Sequence, residues 1–180
     1  NKPYLTRDAV EINIERKKTL EAYGAKIIYS SPFEGSDGAI LEARKLAEKF
    51  SDKYFMPDQY NNPSNPLAHY ETTGPEIWEQ TKGKITHFVC GIGTSGTMMG
   101  AGEFLKNKNP KIKLIGVQPD NSLHGLEGLK HIPTSIRPGI YNENKIDKTF
   151  WANTEKSYEV MERLVNLEGM IVGHSGGAVV

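Results

Sequence analysis

The sequence is short of cysteine, of net charge and of long apolar segments, and each shortage excludes a class of protein. A single cysteine, Cys90, cannot form a disulfide within the chain, which agrees with a reducing compartment. The 22 basic and 22 acidic side chains balance, so charge gives no argument for nucleic acid or an anionic membrane as a partner. No apolar run approaches the roughly 20 residues that span a bilayer, and no signal peptide is recognisable, so we expect a cytoplasmic location.

Both ends of the chain look like cut ends of a longer protein. The first residue is Asn1 rather than a methionine, and residues 176–180 begin what the sequence indicates is a helix. A length of 180 residues suffices for one domain or for parts of two. We therefore expect a fragment of a longer protein.

Helical patterns alternate with short apolar strand patterns along most of the chain. Predicted helices lie at about 10–23, 37–50, 76–81, 98–107 and 155–167, and Thr73 and Glu76 have capping-box form. Predicted strands lie at 26–29, 54–56, 85–90, 111–117 and 170–172, whereas residues 121–148 show little periodicity. This alternation predicts an α/β fold with a mainly parallel sheet flanked by helices. The Asn/Pro-rich segment 59–66 is predicted to be a loop that divides a smaller domain, 1–58, from a larger one, 59–180.

A glycine-rich segment, residues 91–97, lies between a predicted strand and a predicted helix, and we call it the glycine loop. Glycines let the backbone approach a ligand closely, and free N–H groups at a helix start attract negative charge. The hydroxyls of Thr94, Ser95 and Thr97 can each donate a hydrogen bond to a phosphate oxygen. The glycine loop therefore predicts an anion site, and its hydroxyls favour a phosphate monoester.

Two other interpretations of the glycine loop stay open. Gly91, Gly93 and Gly96 fit the pattern G-x-G-x-x-G, so one is a nicotinamide dinucleotide site with Asp120 near the ribose. The other is a glycine-rich turn that binds nothing. A metal site is not expected, because the five histidines fit no common zinc spacing and are interpreted as solvated or packed. Cys90 is interpreted as a packed strand residue rather than a nucleophile.

Two long motifs of the chain are similar to segments of one enzyme family. Residues 59–78, which begin Gln-Tyr-Asn-Asn-Pro-Ser-Asn-Pro, match the segment that leads into the family's larger domain. Residues 93–97, Gly-Thr-Ser-Gly-Thr, match its loop for a cofactor phosphate. Shorter matches at 21–25, 116–119 and 168–178 follow in the family's order. The chain thereby resembles the cysteine synthases, most closely those of the B type, which are fold-type-II pyridoxal phosphate enzymes.

The resemblance implies a function and a set of site residues. Such enzymes hold pyridoxal 5'-phosphate through a lysine Schiff base and replace the leaving group of O-acetylserine or O-phosphoserine with sulfide, which gives cysteine. Five residues would bind the cofactor phosphate by position: Gly93, Thr94, Ser95, Gly96 and Thr97. Three would lie near the substrate: Gln59, Gly125 and Gly128. The resemblance also implies a homodimer, with serine acetyltransferase as a possible protein partner.

Some parts of the family's site have no match in this chain. These are the Schiff-base lysine, the loop that grips the substrate carboxylate and the serine that faces the pyridine nitrogen. We therefore assign no catalytic residue and expect the chain alone to be inactive and the full-length parent to be the enzyme. Residues 1–13 match poorly, and residues 174–177, His-Ser-Gly-Gly, replace the more usual Ser-Ser-Gly-Ala. The alternatives are a cystathionine β-synthase, a serine dehydratase, a nicotinamide dehydrogenase and a non-catalytic binding fragment.

Overall fold

The computed structural model describes residues 14–30 and 35–180, and the chain divides into two compact units, 1–57 and 58–180. The described part of the first unit contains helices α1 (Ile14–Ala22) and α2 (Gly35–Lys49). Gly24 follows α1 with a φ of +79°, the left-handed conformation that commonly ends helices. The helices predicted at 10–23 and 37–50 are confirmed over the described residues, whereas residues 1–13 lie outside them.

The strands predicted at 26–29 and 54–56 are wrong. Both segments are irregular, and neither pairs with another strand in the part of the chain that the structure describes. Tyr54 instead donates its backbone N–H to the carbonyl of Phe50 at 2.9 Å, which closes a turn after α2. A short apolar run becomes a strand only where a neighbouring strand takes its backbone hydrogen bonds, and the sequence pattern does not report that neighbour.

The second unit, all of which is described, carries one parallel sheet with the order β1-β2-β3. Its elements are α3 (Ser64–Glu71), α4 (Thr73–Gln80), β1 (His87–Gly91), α5 (Gly96–Lys108), β2 (Lys113–Pro119), β3 (Lys148–Ala152), α6 (Thr154–Arg163) and α7 (His174–Val179). A 3-10 turn covers Glu143–Lys145, and a π-helical turn, Leu164–Glu168, follows α6. The predicted α/β class with a parallel sheet is confirmed.

Two boundaries near the Asn/Pro segment differ from the prediction. The predicted loop 59–66 is wrong at its end, because α3 begins at Ser64. Pro66 fits there because a first-turn residue has no intrahelical acceptor for its N–H group. The predicted capping box is also wrong: Thr73 lies inside α4, and its hydroxyl contacts the ring of His69 at 2.9 Å.

Two further differences concern the sheet and the last helix. β3 was not predicted, because it is a short edge strand in which Phe150 and Trp151 are both about half exposed, so the usual alternation is missing. The strand predicted at 170–172 is wrong, since Ile171 is 89% exposed and forms no ladder. The predicted turn at 173–177 is instead the beginning of α7.

The core places the glycine loop at the carboxyl edge of the sheet. One apolar cluster joins β1, β2 and α5, and Ile92, Leu105 and Ile112 in it are completely buried. Gly91, the last residue of β1, pairs with Val117 of β2, so both strands end at the same edge. In parallel α/β sheets ligands bind at this edge, beyond the carboxyl ends of the strands.

The carboxylate of Asp147 joins β2 to α5 through several contacts. Its Oδ2 atom accepts a hydrogen bond from the backbone N–H of Leu114 at 2.8 Å. The ammonium of Lys106 lies 2.8 Å from the same oxygen, and that of Lys113 lies 3.5 Å from Oδ1. The Leu114 N–H, followed by the Lys106 ammonium, lowers the pKa of Asp147 from its usual 3.8 to about 2.

This lowered pKa predicts a pH-dependent contribution to stability. A carboxyl whose pKa is lower in the folded state stabilises the fold above its unfolded pKa and loses that effect as the pH falls through the folded pKa. Asp147→Asn in the full-length protein should therefore cost about 1 kcal/mol at neutral pH. The difference from wild type should shrink as the pH falls from about 4 towards 2, as measured by urea unfolding.

Glu143→Gln is the matched control for Asp147→Asn. Glu143 contacts Arg137 at 3.5 Å, but 63% of its side chain is exposed, so we expect a change below about 0.5 kcal/mol. A loss in Asp147→Asn that stays constant between neutral and acidic pH would contradict the assignment.

Candidate functional site

The glycine loop is held at both ends by backbone hydrogen bonds. The N–H of Ile92 donates to the carbonyl of Val117 at 2.8 Å, which extends the β1–β2 pairing by one residue. The carbonyl of Ile92 accepts from the N–H of Lys130 at 2.8 Å. Ser95 then adopts a φ of +73°, so the chain turns sharply into α5. These contacts fix the loop directly before the N-terminus of α5.

The three hydroxyls of the glycine loop have different surroundings. The Oγ1 atom of Thr94 accepts from the side-chain amide of Asn65 at 3.1 Å and from the N–H of Gly96 at 3.2 Å, which leaves its own hydrogen free to donate. The Oγ1 atom of Thr97 lies 3.2 Å from Nε2 of His69. The Oγ atom of Ser95 is buried and has no hydrogen-bond partner. A buried hydroxyl without a partner is costly, so this arrangement suits a ligand that accepts hydrogen bonds.

Glycine is required at the loop because neighbouring groups pass very close to it. A Cβ atom on Gly93 would overlap the carbonyl oxygen of Gly128, and one on Gly96 would overlap the side-chain oxygen of Asn65. The loop has no side chain at Gly93 and Gly96, so residues 125–130 pack directly against its backbone at the first position and α3 at the second. A phosphate group is of a size and charge that such a loop at a helix N-terminus binds well.

The structure gathers most of the predicted site residues at this loop. Gly93, Thr94, Ser95, Gly96 and Thr97 form a single turn. Gln59 lies near the glycine loop, because its backbone carbonyl accepts a hydrogen bond from the Asn65 side-chain amide at 2.7 Å. The same amide also contacts Thr94. Gly128, with a φ of +89°, lies beside Gly93.

Gly125 and Asp120 are held by other contacts. The N–H of Gly125 donates to Oγ1 of Thr154 at 3.2 Å, and its carbonyl accepts from the Tyr158 hydroxyl at 3.0 Å, so Gly125 lies at the start of α6. Asp120 follows β2, where its carboxylate accepts from the side-chain amide of Asn153 at 3.0 Å. Asp120 already has this protein partner, which weakens the dinucleotide interpretation.

Sequence reasoning missed two residues that contact the glycine loop. Asn65 was assigned to a loop, and His69 was interpreted as solvated or packed. In the structure both belong to α3, and their side chains contact Thr94 and Thr97 respectively. Their spacing of four residues puts them on one face of a helix, and this signal was available once α3 was known to begin at Ser64.

The described residues, 14–30 and 35–180, contain neither a cluster of metal-ligating side chains nor a helix that could span a membrane. No three His, Cys, Asp or Glu side chains of those ranges come together as metal ligands would. None of the helices found there is both long enough and apolar enough to cross a membrane.

Cys90 lies in β1 just before the glycine loop, and its Sγ atom donates to the carbonyl of Gly91 at 3.5 Å. Burial raises the pKa of the Cys90 thiol from 9.0 to about 11. The thiolate is the reactive form, so alkylation by iodoacetamide at about pH 8 should be at least about 100-fold slower in the folded full-length protein than in urea. Mass spectrometry of the Cys90 peptide measures both rates, and equal rates would contradict the burial argument.

Comparison with known proteins identifies relatives over nearly the whole chain. The model of the family described as "Pyridoxal-phosphate dependent enzyme" matches residues 4–180. The cysteine synthase of Aquifex aeolicus is 53% identical over 167 residues, which cover 93% of this chain and 51% of that protein. Cysteine synthase B of Pseudomonas aeruginosa is 42% identical over 166 residues, which cover 92% and 54%. The chain thus spans about half the length of these curated relatives.

Solved structures agree with the sequence relatives. A cysteine synthase from Entamoeba histolytica superposes with a TM-score of 0.86 at 32% identity and covers 98% of this chain and 54% of its own. An O-ureido-L-serine synthase gives a TM-score of 0.86 at 31% identity and covers 98% and 58%. Together with the match over residues 4–180, these similarities show that the chain belongs to the family of pyridoxal-phosphate dependent enzymes.

Proposed function

We propose that the full-length protein containing this chain is a cysteine synthase that uses pyridoxal 5'-phosphate and replaces the leaving group of O-acetylserine or O-phosphoserine with sulfide. The observation that carries the proposal is the glycine loop, in which three hydroxyls lie within one turn at a helix N-terminus and one of them is buried without a partner. The relatives named cysteine synthase, at 53% and 42% identity, support the choice of reaction.

The residues of the glycine loop suit the phosphate group of this cofactor. The phosphate is an acceptor of hydrogen bonds, and the Thr94 and Ser95 hydroxyls each have a hydrogen available to donate. Gly93 and Gly96 allow the phosphate to lie against the backbone, where N–H groups at the start of α5 favour negative charge. We therefore assign the cofactor phosphate to residues 93–97.

The residues around the loop would serve the substrate and the rest of the cofactor. We assign Gln59, Gly125 and Gly128 to the substrate side, since Gln59 and Gly128 flank the loop and Gly125 belongs to the same segment as Gly128. When bound, pyridoxal phosphate supplies an electron sink for elimination at the serine β-carbon. This chain's contribution is to hold and orient the phosphate end of the cofactor. The chain would divide at residue 58 into a smaller substrate-side domain and the larger domain that contains the glycine loop.

The family resemblance supports the proposed assembly, and the single cysteine, which agrees with a reducing compartment, supports the proposed location. We propose a cytoplasmic homodimer that can bind serine acetyltransferase. Light scattering measures the molar mass of the full-length protein alone, which tests the dimer, and mixed with serine acetyltransferase, which tests the complex.

Assays of the full-length protein test the proposed function. Adding pyridoxal phosphate to the apoprotein should produce a visible absorbance band, and adding O-acetylserine or O-phosphoserine with sulfide should then release cysteine. Cystathionine formed when homocysteine replaces sulfide would identify a cystathionine β-synthase instead. Pyruvate formed from unactivated serine without any added nucleophile would identify a serine dehydratase. Absence of the visible band would reject the proposal, and binding of reduced nicotinamide would favour a dehydrogenase.

A further inference from the structure

The ring of His69 contacts two hydroxyls, and one of them belongs to the glycine loop. Its Nε2 atom lies 3.2 Å from Oγ1 of Thr97, the second residue of α5. Its Nδ1 atom lies 2.9 Å from Oγ1 of Thr73, the first residue of α4. One half-buried imidazole on α3 therefore connects the starts of two other helices, and both of its nitrogens are engaged.

The hydrogen positions on this ring decide what Thr97 can do. A neutral imidazole has one N–H donor and one acceptor nitrogen, and a threonine hydroxyl has one hydrogen to donate. If Nδ1 carries the proton, Nε2 is an acceptor and the Thr97 hydrogen is used by His69. If Nε2 carries the proton, it donates to Thr97, and the Thr97 hydrogen is left to donate to the phosphate. Thr73 then donates to Nδ1 of His69.

Asn65 supplies the same arrangement at Thr94. Its side-chain amide donates to Oγ1 of Thr94 at 3.1 Å, which fills an acceptor position and leaves the Thr94 hydrogen free. Asn65 and His69 lie one helical turn apart on α3. Two donors on one face of α3 would therefore orient two hydroxyls of the glycine loop in the same sense.

We propose that His69 is a positioning residue that, as the Nε2–H tautomer, directs the hydroxyl hydrogen of Thr97 towards the cofactor phosphate. The proposal rests on the proposed function, because it takes the ligand of the glycine loop to be the phosphate of pyridoxal phosphate. In this tautomer the Thr73 hydroxyl donates to Nδ1, which lies 2.9 Å away, so both ring nitrogens of His69 have a hydrogen-bond partner.

Two substitutions of His69 separate its two contacts. In His69→Gln the terminal amide nitrogen takes the place of Nε2 and can still donate to Thr97. In His69→Asn the shorter amide takes the place of Nδ1, so the contact with Thr73 is kept and the donor to Thr97 is lost. We expect the dissociation constant of pyridoxal phosphate from the full-length protein to rise about tenfold in His69→Asn and by less than about threefold in His69→Gln.

His87→Gln is the matched control. His87 is exposed on β1, and its Nδ1 atom lies 2.9 Å from the Thr86 hydroxyl, so it is a second histidine–threonine pair that is separate from the glycine loop. The control should bind the cofactor as wild type does. Equal weakening in both His69 variants, or none in either, would overturn the proposal.

Nitrogen NMR of the histidine-labelled full-length protein tests the tautomer without any activity assay. With pyridoxal phosphate bound at about pH 8, the His69 signals should show a protonated Nε2 and an unprotonated Nδ1. The Nδ1–H pattern would overturn the proposal even if the cofactor binds. Failure of the wild-type protein to bind pyridoxal phosphate would instead reject the proposed function, so the two failures are distinguishable.

Discussion

Replacing Gly96 with alanine should weaken the binding of pyridoxal phosphate by the full-length protein at least about 100-fold. The displaced glycine loop would lose two or more of its hydrogen bonds to the charged phosphate. The added Cβ atom would occupy the position of the Asn65 side-chain oxygen. Asn65 would have to move, and with it the contacts of its amide to Thr94 and to the Gln59 carbonyl. The substitution therefore disturbs the loop and the segment beside it together.

Equilibrium titration of the apoprotein with pyridoxal phosphate, followed by absorbance, measures this loss. Gly173→Ala is the control: no atom lies within 4 Å of its added Cβ, and its φ of −75° suits any residue. Unfolding of both variants without the cofactor shows whether the effect is confined to the loop. An affinity for Gly96→Ala within about threefold of wild type would refute the close approach of Asn65.

Replacing Gly100 with alanine should destabilise the second unit by about 2–3 kcal/mol, the upper part of the range for overpacking. The added Cβ atom would overlap the carbonyl oxygen of Pro66 and would approach the Cβ of His69. Both contacts involve atoms that α3 cannot move without shifting its backbone. The gain in helix propensity from glycine to alanine, about 1 kcal/mol, is too small to offset the clash.

Gly102→Ala in the same helix is the matched control. The nearest contact of its added Cβ is a terminal methyl of Leu114, which can change its rotamer, so the clash costs less and the propensity gain is the same. Urea unfolding of the full-length protein compares the two variants. Equal stabilities for Gly100→Ala and Gly102→Ala would contradict the tight packing of α3 on α5.

The parts of the fold that depend only on residues close together in the sequence could be predicted from it. β1, the glycine loop and α5 follow from a local apolar run, a glycine pattern and a helical period, so their order and type were predicted correctly. The presence of three hydroxyls in this turn was predicted for the same reason, and their assignment to an anion stays a prediction. Such features need no knowledge of the rest of the chain.

The parts that depend on distant neighbours could not be predicted. The runs at 26–29, 54–56 and 170–172 have strand-like composition, but within the described residues none of them has a partner strand. β3 was missed for the opposite reason, because Phe150 and Trp151 are both about half exposed and show no alternation, and only the pairing with β2 makes the segment a strand. The contact of His69 with Thr97 joins residues 28 positions apart, and only the packing of α3 on α5 reveals it.

The conformation and burial of Ser95 have a consequence for the amount of folded protein in a cell. A non-glycine residue at φ +73° and a buried hydroxyl without a partner each cost on the order of 1 kcal/mol or more. A phosphate bound as proposed would offset the second cost but not the first, so it would raise the free energy of unfolding. Because degradation in cells removes unfolded molecules, we expect the steady-state amount of this protein to follow the cellular supply of its cofactor.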